Sequence, residues 1–307
     1  LPTWSRGFKN CTDEMSEVTC GDIIRAYKTL RQWESTINSQ TTEGKKYLLL
    51  KHPVKGLGNK MSTDVVAALL AIMSNRTLVV QSNYPSPEGV IYGHSYNYPE
   101  FVLTEMPNNL SKSCKVVPTD IQWSCFNVWK FLEQNDTVLC LDNLIYSSLI
   151  YVNKQTAEFA YEHFGTHGVY FLSNFISQIP NESLTIAREI LQQIPQNTPI
   201  LGAHIRYHRA GQYYSHGLNY TLPIVYEEFN RFLTNENGLI ALATDNKEIE
   251  EDLVSKYPGR IIVSGALRKP DRDHNSALID IALLLGCSSL LLSYRSTFSF
   301  AIGSRHG

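Results

Sequence analysis

The sequence predicts an α/β protein built from two Rossmann-like, doubly wound domains that face each other across a cleft. Three observations predict it. Short apolar runs of strand type alternate with helical patterns along most of the chain. A glycine-rich turn joins the first of these strands to an apolar helix, as in a parallel β-α-β unit. The 307 residues suffice for two cores of ordinary size.

Taken in order, the stretch to Gln40 mixes helix-compatible residues, Ile23 to Ile37, with the first two cysteines and carries no obvious chemistry. Tyr47-Leu48-Leu49-Leu50 then reads as a buried strand, Lys55-Gly56-Leu57-Gly58-Asn59 as a tight loop, Ser62 to Met73 as an apolar helix, and Thr77-Leu78-Val79-Val80 as a second strand. From Asn83 to Thr137 the chain is rich in Pro, Tyr, Asn and Ser, which predicts loops and short elements shaping a surface. Helical patterns return at Asn153 to Phe164 and Ser183 to Gln193. The run Ile194-Pro195-Gln196-Asn197-Thr198-Pro199 breaks the second of them and reads as a linker, so the expected domains are 1–195 and 196–307.

Beyond that linker the alternation is regular. Strands are expected at Ile200 to Arg206, Leu239 to Thr244, Arg260 to Val263 and Ser289 to Ser293. The helices between them are Leu222 to Leu233, Lys247 to Tyr257 and Asn275 to Gly286, and Ser296-Thr297 caps a last helix through Ile302. The same pattern fits glycosyltransferases of the GT-B architecture, periplasmic binding proteins and several kinases, so function must come from residues.

Composition narrows the classes. With 43% apolar residues, 18% charged and 17 Tyr, the chain is globular rather than disordered. A net charge of −2 supplies no bulk attraction for nucleic acid or an anionic membrane, so any anion must be held by a local site. The six cysteines contain no Cys-x-x-Cys pair, which argues against zinc; proximity suggests Cys11 with Cys20 and Cys114 with Cys125 as disulfides. Sequons stand at Asn10, Asn75, Asn109, Asn135, Asn181 and Asn219. Together with the even cysteine count they predict a glycoprotein of the secretory lumen. The longest apolar run, Ile279 to Leu292, is interrupted by Asp280, Gly286 and two Ser and is no membrane span; a targeting segment is expected outside this sequence.

Four features carry possible chemistry. Gly56-Leu57-Gly58-Asn59 lies at a strand end and helix start, where it is either a tight structural turn or a backbone cradle for an anion. His204 and Arg206 share one side of a strand's carboxyl end, where Arg206 can form a salt bridge or clamp a phosphate. Asp280 interrupts an apolar helix, either on its solvated face or accepting hydrogen bonds from a ligand such as guanine. Ser296-Thr297-Phe298 opens a helix, as an ordinary cap or as a second oxyanion cradle. Asp271-Arg272-Asp273 imitates a metal-binding Asp-x-Asp but follows Lys269-Pro270 and reads as a turn.

In this order and at these spacings the blocks resemble the GDP-fucose-dependent fucosyltransferases, a superfamily that includes core α1,6-, nodulation, plant xyloglucan α1,2- and protein O-fucosyltransferases. Gly58-Asn59-Lys60 through Asn75-Arg76-Thr77-Leu78 is similar to their amino-terminal motif, Ala203-His204-Ile205-Arg206 to their His-x-Arg motif, and Ala277 through Phe300 to their donor segment. Tyr207-His208-Arg209 departs from the Arg-Arg-x-Asp extension of the core α1,6 branch.

The resemblance implies a GT-B-like fold, with 1–195 the acceptor side and 196–307 binding GDP-fucose. It implies inverting transfer of L-fucose from GDP-β-L-fucose to a glycan hydroxyl with release of GDP, and no bound metal or other cofactor. Arg206 would stabilise the departing diphosphate with help from Ser296 and Thr297. His204 would contact the nucleotide sugar, Asp280 the guanine and Phe298 the donor, with Gly58 and Asn59 at the phosphate–fucose end. Asn59, His208 and Asp245 are candidates for the acceptor's base, and Arg209 is a further candidate for the site. Transfer to Ser or Thr of a folded protein, or binding without turnover, are the alternatives. The expected place is the Golgi or endoplasmic reticulum lumen, from a type II membrane precursor, with a glycan or glycoprotein acceptor as partner.

Overall fold

The computed structural model describes residues 17–41, 44–52, 56–81, 96–105, 107, 115–116, 120–134, 136–141, 150–206, 215–265, 274–293 and 296–306. The chain divides into two compact units, the first ending at Gln178 and the second running from Ile179 to His306.

In the first unit, strands β1 (Tyr47–Lys51), β2 (Thr77–Gln81), β3 (Lys115–Val116) and β4 (Val138–Leu141) form a parallel sheet in the order β2-β1-β4-β3. Residues 47–50, 77–80 and 138–141 are buried without alternation, because both faces of the sheet are covered. The helices of this unit are α1 (Glu17–Ser39), α2 (Leu57–Met73), the short α3 (Val128–Leu132), α4 (Lys154–Phe164) and α5 (Gly168–Ile176). Helix α1 buries Ile23, Ala26, Leu30, Trp33 and Ile37, a three-four spacing that makes one apolar stripe. Helix α2 is buried on every side except at Asn59, so it is the axis of the core.

Arg76 closes the opposite edge. Its buried guanidinium donates to the carbonyls of Gln134 and Asp136, both at 2.8 Å, while its own carbonyl accepts from Trp33 Nε1. Asn75, just before it, adopts a left-handed φ of 49°, which Asn tolerates better than most residues and which turns the chain from α2 into β2.

In the second unit, β5 (Ile200–Ile205), β6 (Leu239–Thr244), β7 (Ile261–Val263) and β8 (Ser289–Leu292) form another all-parallel sheet, ordered β7-β6-β5-β8. That is the 3-2-1-4 order of one half of a doubly wound sheet, with the order reversing between β5 and β8. Helices α6 (Asn181–Gln192), α7 (Ser215–Glu236), α8 (Lys247–Lys256), α9 (His274–Leu285) and α10 (Thr297–His306) complete it. Gly202 in β5 is required by contact: a Cβ there would come within 2.7 Å of Leu290 and 3.1 Å of Cys287.

Two expectations are corrected. The division falls after Gln178, not at 195/196, because α6 packs along α9; small buried Ser183 and Ala187 line α6, and Leu191 occupies the space a Cβ of Gly286 would need. Cys125 is a free, exposed thiol, so it is not paired with Cys114; Cys140 is disulfide-bonded, and Cys287 is free and buried. No helix among the described residues is long and apolar enough to cross a membrane.

Candidate functional site

The carboxyl edge of the second sheet gathers most of the expected residues. Register explains why. Ile205 of β5 stands beside Thr244 of β6, so the next residues, Arg206 and Asp245, leave the sheet side by side. Their side chains form an ion pair at 3.0 Å, with Arg206 45% and Asp245 21% exposed. The Arg206 side chain thus remains partly exposed. Asp245, a candidate base from the sequence, is engaged here as the partner of Arg206.

On the other flank of β5, Ser293 follows β8 and locks the strand ends together. Its hydroxyl donates to the carbonyl of His204 and accepts from the Arg206 amide, both at 2.9 Å. Arg206 is therefore held through its backbone and its side chain.

His204 is buried beneath this edge, its Nδ1 2.7 Å from the Ser299 hydroxyl and its ring 4.7 Å from that of Phe298. Burial, with the neighbouring Arg206 charge adding, pushes its imidazole down to about 3, so the ring is neutral at physiological pH. A neutral imidazole adds no second charge beside Arg206. It offers a rigid hydrogen-bonding wall instead.

Ser296, Thr297 and Phe298 open α10 directly after this edge. Ser296 Oγ accepts from the amide of Ser299 at 3.5 Å, and the Ser296 carbonyl accepts from Phe300, so Ser296 caps the helix. The first amides of α10 then point away from the helix at its positive end.

Asp280 forms a second group on the same sheet edge. It lies on a half-buried face, where its Oδ1 accepts a hydrogen bond from Ser264, which follows β7. Burial pushes its carboxyl up to about 7; the Ser264 bond opposes the shift and Glu250, buried on α8, adds to it. This is a carboxyl group poised between two protonation states at neutral pH.

The remaining expected residues lie elsewhere. Gly58 and Asn59 are in the first unit, in the first turn of α2; the segment read as a loop is helical from Leu57, with Gly56 as its cap at φ −60° and ψ 162°. Asn59 and Lys60 amides both bond to the Gly56 carbonyl. His208, Arg209 and the Asp271-Arg272-Asp273 segment lie outside the described residues.

Sequence reasoning missed Ser264, Ser293 and Ser299. Ser293 had a signal, a hydroxyl directly after the apolar run Leu290 to Leu292, and Ser299 stands three residues after the capping Ser296. Ser264 had none, since only the packing of α9 on the sheet brings Asp280 to it.

No protein-family model matches this sequence, and no curated protein matches it. Similar folds are found among solved structures. An Arg-to-Lys variant of Arabidopsis thaliana FUT1 in complex with GDP superposes with a TM-score of 0.60 at 14% identity, covering 95% of this chain and 78% of that one. NodZ fucosyltransferase from Bradyrhizobium gives 0.51 at 12% identity, covering 84% and 93%. POFUT1 in complex with GDP-fucose gives 0.52 at 11% identity, covering 88% and 97%. The likeness is one of fold: this chain has the GT-B-type α/β fold of these fucosyltransferases.

Proposed function

We propose that the chain is an inverting fucosyltransferase that moves L-fucose from GDP-β-L-fucose to a hydroxyl of a glycan acceptor in the secretory lumen. The observation that carries this reading is the partly exposed Arg206 side chain, fixed by Asp245 and Ser293 where the strand order of the second sheet reverses. Two of the similar folds hold GDP or GDP-fucose, which supports the same ligand here.

In the reaction, the bond between the fucose C1 and the β-phosphate oxygen breaks while the acceptor oxygen bonds C1 from the opposite face. Negative charge grows on the departing GDP. Arg206 meets that charge with paired N–H donors, and the first amides of α10 and the Ser296 hydroxyl add fixed donors. Because Arg206 is held before the ligand arrives, little reorganisation is required.

Neutral His204 hydrogen-bonds the nucleotide sugar, and Phe298, tilted against that ring, shapes the donor's seat. Asp280 exchanges its Ser264 bond for the N1–H and exocyclic amino N–H donors of guanine. Gly58 and Asn59 are assigned to the phosphate–fucose part of the donor. The acceptor loses its proton as its oxygen bonds C1; GDP is a good leaving group, so a strong base is not demanded.

Calorimetric titration of GDP into the wild-type chain and Arg206→Ala tests this. Loss of a charge-assisted bond pair is worth about 1.5–3 kcal/mol, or about 10–100-fold in Kd. Equal affinity in the two proteins refutes the role of Arg206, and no binding in either refutes the donor assignment.

A further inference from the structure

The carboxyl edge of the first sheet holds a buried polar cluster that the proposed reaction does not use. Asp64, fully buried on α2, places Oδ1 2.6 Å from Nε2 of His52, while Oδ2 accepts from the hydroxyls of Tyr96 at 2.5 Å and of Tyr98 and Ser177 at 3.1 Å. Lys60, one turn earlier on the same helix, is also buried; desolvation lowers its pKa and the Asp64 charge raises it.

The placement of these groups is specific. His52 directly follows β1, and Asp64 lies in the second turn of α2, so their bond ties the end of β1 to the body of the next helix. Gly56, Gly58 and Asn59 belong to that passage. Tyr96 and Tyr98 come from a distant stretch and Ser177 from the end of α5, so the carboxylate also ties two further segments to the same edge.

Burying a carboxylate costs several kcal/mol before its partners compensate, and α2 is otherwise a helix that apolar residues would pack. What the cluster supplies in exchange is fixed geometry, since a fully bonded buried network admits few alternative arrangements.

We propose that Asp64 is a positioning residue of the donor site: through His52 it fixes the passage from β1 into α2 so that Gly58 and Asn59 meet the phosphate–fucose end of the donor. This rests on the donor role proposed above for Gly58 and Asn59. Asp64 itself touches no substrate.

The test uses the full chain and GDP-fucose hydrolysis, with Asp64→Asn, His52→Gln and Tyr98→Phe compared by kcat, KM, GDP affinity and melting temperature. Displacement of a reacting group by about 1 Å costs about 100-fold. We expect Asp64→Asn and His52→Gln to lower kcat by about tenfold or more, and Tyr98→Phe by less, while GDP Kd changes by less than kcat does, because only the phosphate–fucose end of the donor is assigned to Gly58 and Asn59. Should Asp64→Asn fail to fold, His52→Gln decides, since it leaves the three hydroxyl donors on Asp64. Folded variants with unchanged kcat overturn the proposal, as does a loss of kcat that only follows the folded fraction. Wild-type turnover with unaffected variants sinks this inference alone; wild-type protein that neither binds GDP nor hydrolyses GDP-fucose sinks the proposed function and this inference with it.

Discussion

Asp280 turns guanine binding into a titration. Its carboxyl, pushed up to about 7 by burial, must be ionised to accept two N–H donors of guanine. Apparent affinity then scales with the ionised fraction, about one half at pH 7 and about one thirtieth at pH 5.5 for a group of that pKa. The terminal phosphate of GDP titrates with a pKa of about 6 and would blur the result, so guanosine, which carries no phosphate, is the ligand to use. Wild-type Kd for guanosine should rise about 30-fold between pH 8 and pH 5.5, while Asp280→Asn should bind weakly and without pH dependence.

Stability gives an independent reading of the same group. Its native value lies above the ordinary 3.8, so the folded state binds more protons between the two values. The associated stability is full below about pH 4 and is lost as pH rises through about 7, by roughly 4 kcal/mol at most. Asp280→Asn should flatten that slope in urea unfolding. A wild-type guanosine Kd that changes by less than about twofold across this range would refute the assignment of guanine to Asp280.

Two further predictions concern the scaffold and the thiols. Gly202→Ala should lower stability by about 1–3 kcal/mol in urea unfolding, because its Cβ meets Leu290 and Cys287 in the packed sheet; an unchanged midpoint would show that β8 yields. In the native chain an alkylating reagent should modify Cys125 and spare Cys287, whose thiol burial pushes up to about 12; peptide mass mapping that finds Cys287 labelled as fast as Cys125 contradicts this.

The second unit was legible because its strands are apolar runs, and α8 and α10 begin at the capping residues Asn246 and Ser296. The amino-terminal boundary was not. Ile194 to Pro199 looks like a linker by composition, yet α6 before it packs on α9 through Ser183 and Ala187, a tertiary preference that no local pattern expresses. The turn read at Lys55 to Asn59 is shorter than expected because Leu57, Gly58 and Asn59 are drawn into α2, whose buried faces outweigh the low helix propensity of glycine.

Within the candidate site, the place of His204 and Arg206 at a strand's carboxyl end was legible from strand alternation, whereas their role came only from the resemblance. The pairing of Arg206 with Asp245 was not, since it follows from β5 and β6 being neighbours in register. Asp64 was hidden for the opposite reason. It sits in an apolar helix where a lone acid attracts no notice, and its partners His52, Tyr96, Tyr98 and Ser177 converge only in three dimensions.

Turnover of sugar nucleotides by the wild-type chain and Arg206→Ala tests the central claim most directly. The account predicts release of GDP from GDP-fucose, with other sugar nucleotides left essentially intact and the rate in Arg206→Ala reduced by about 100-fold or more. Turnover of another sugar nucleotide in place of GDP-fucose, or a rate untouched by the loss of Arg206, would contradict it.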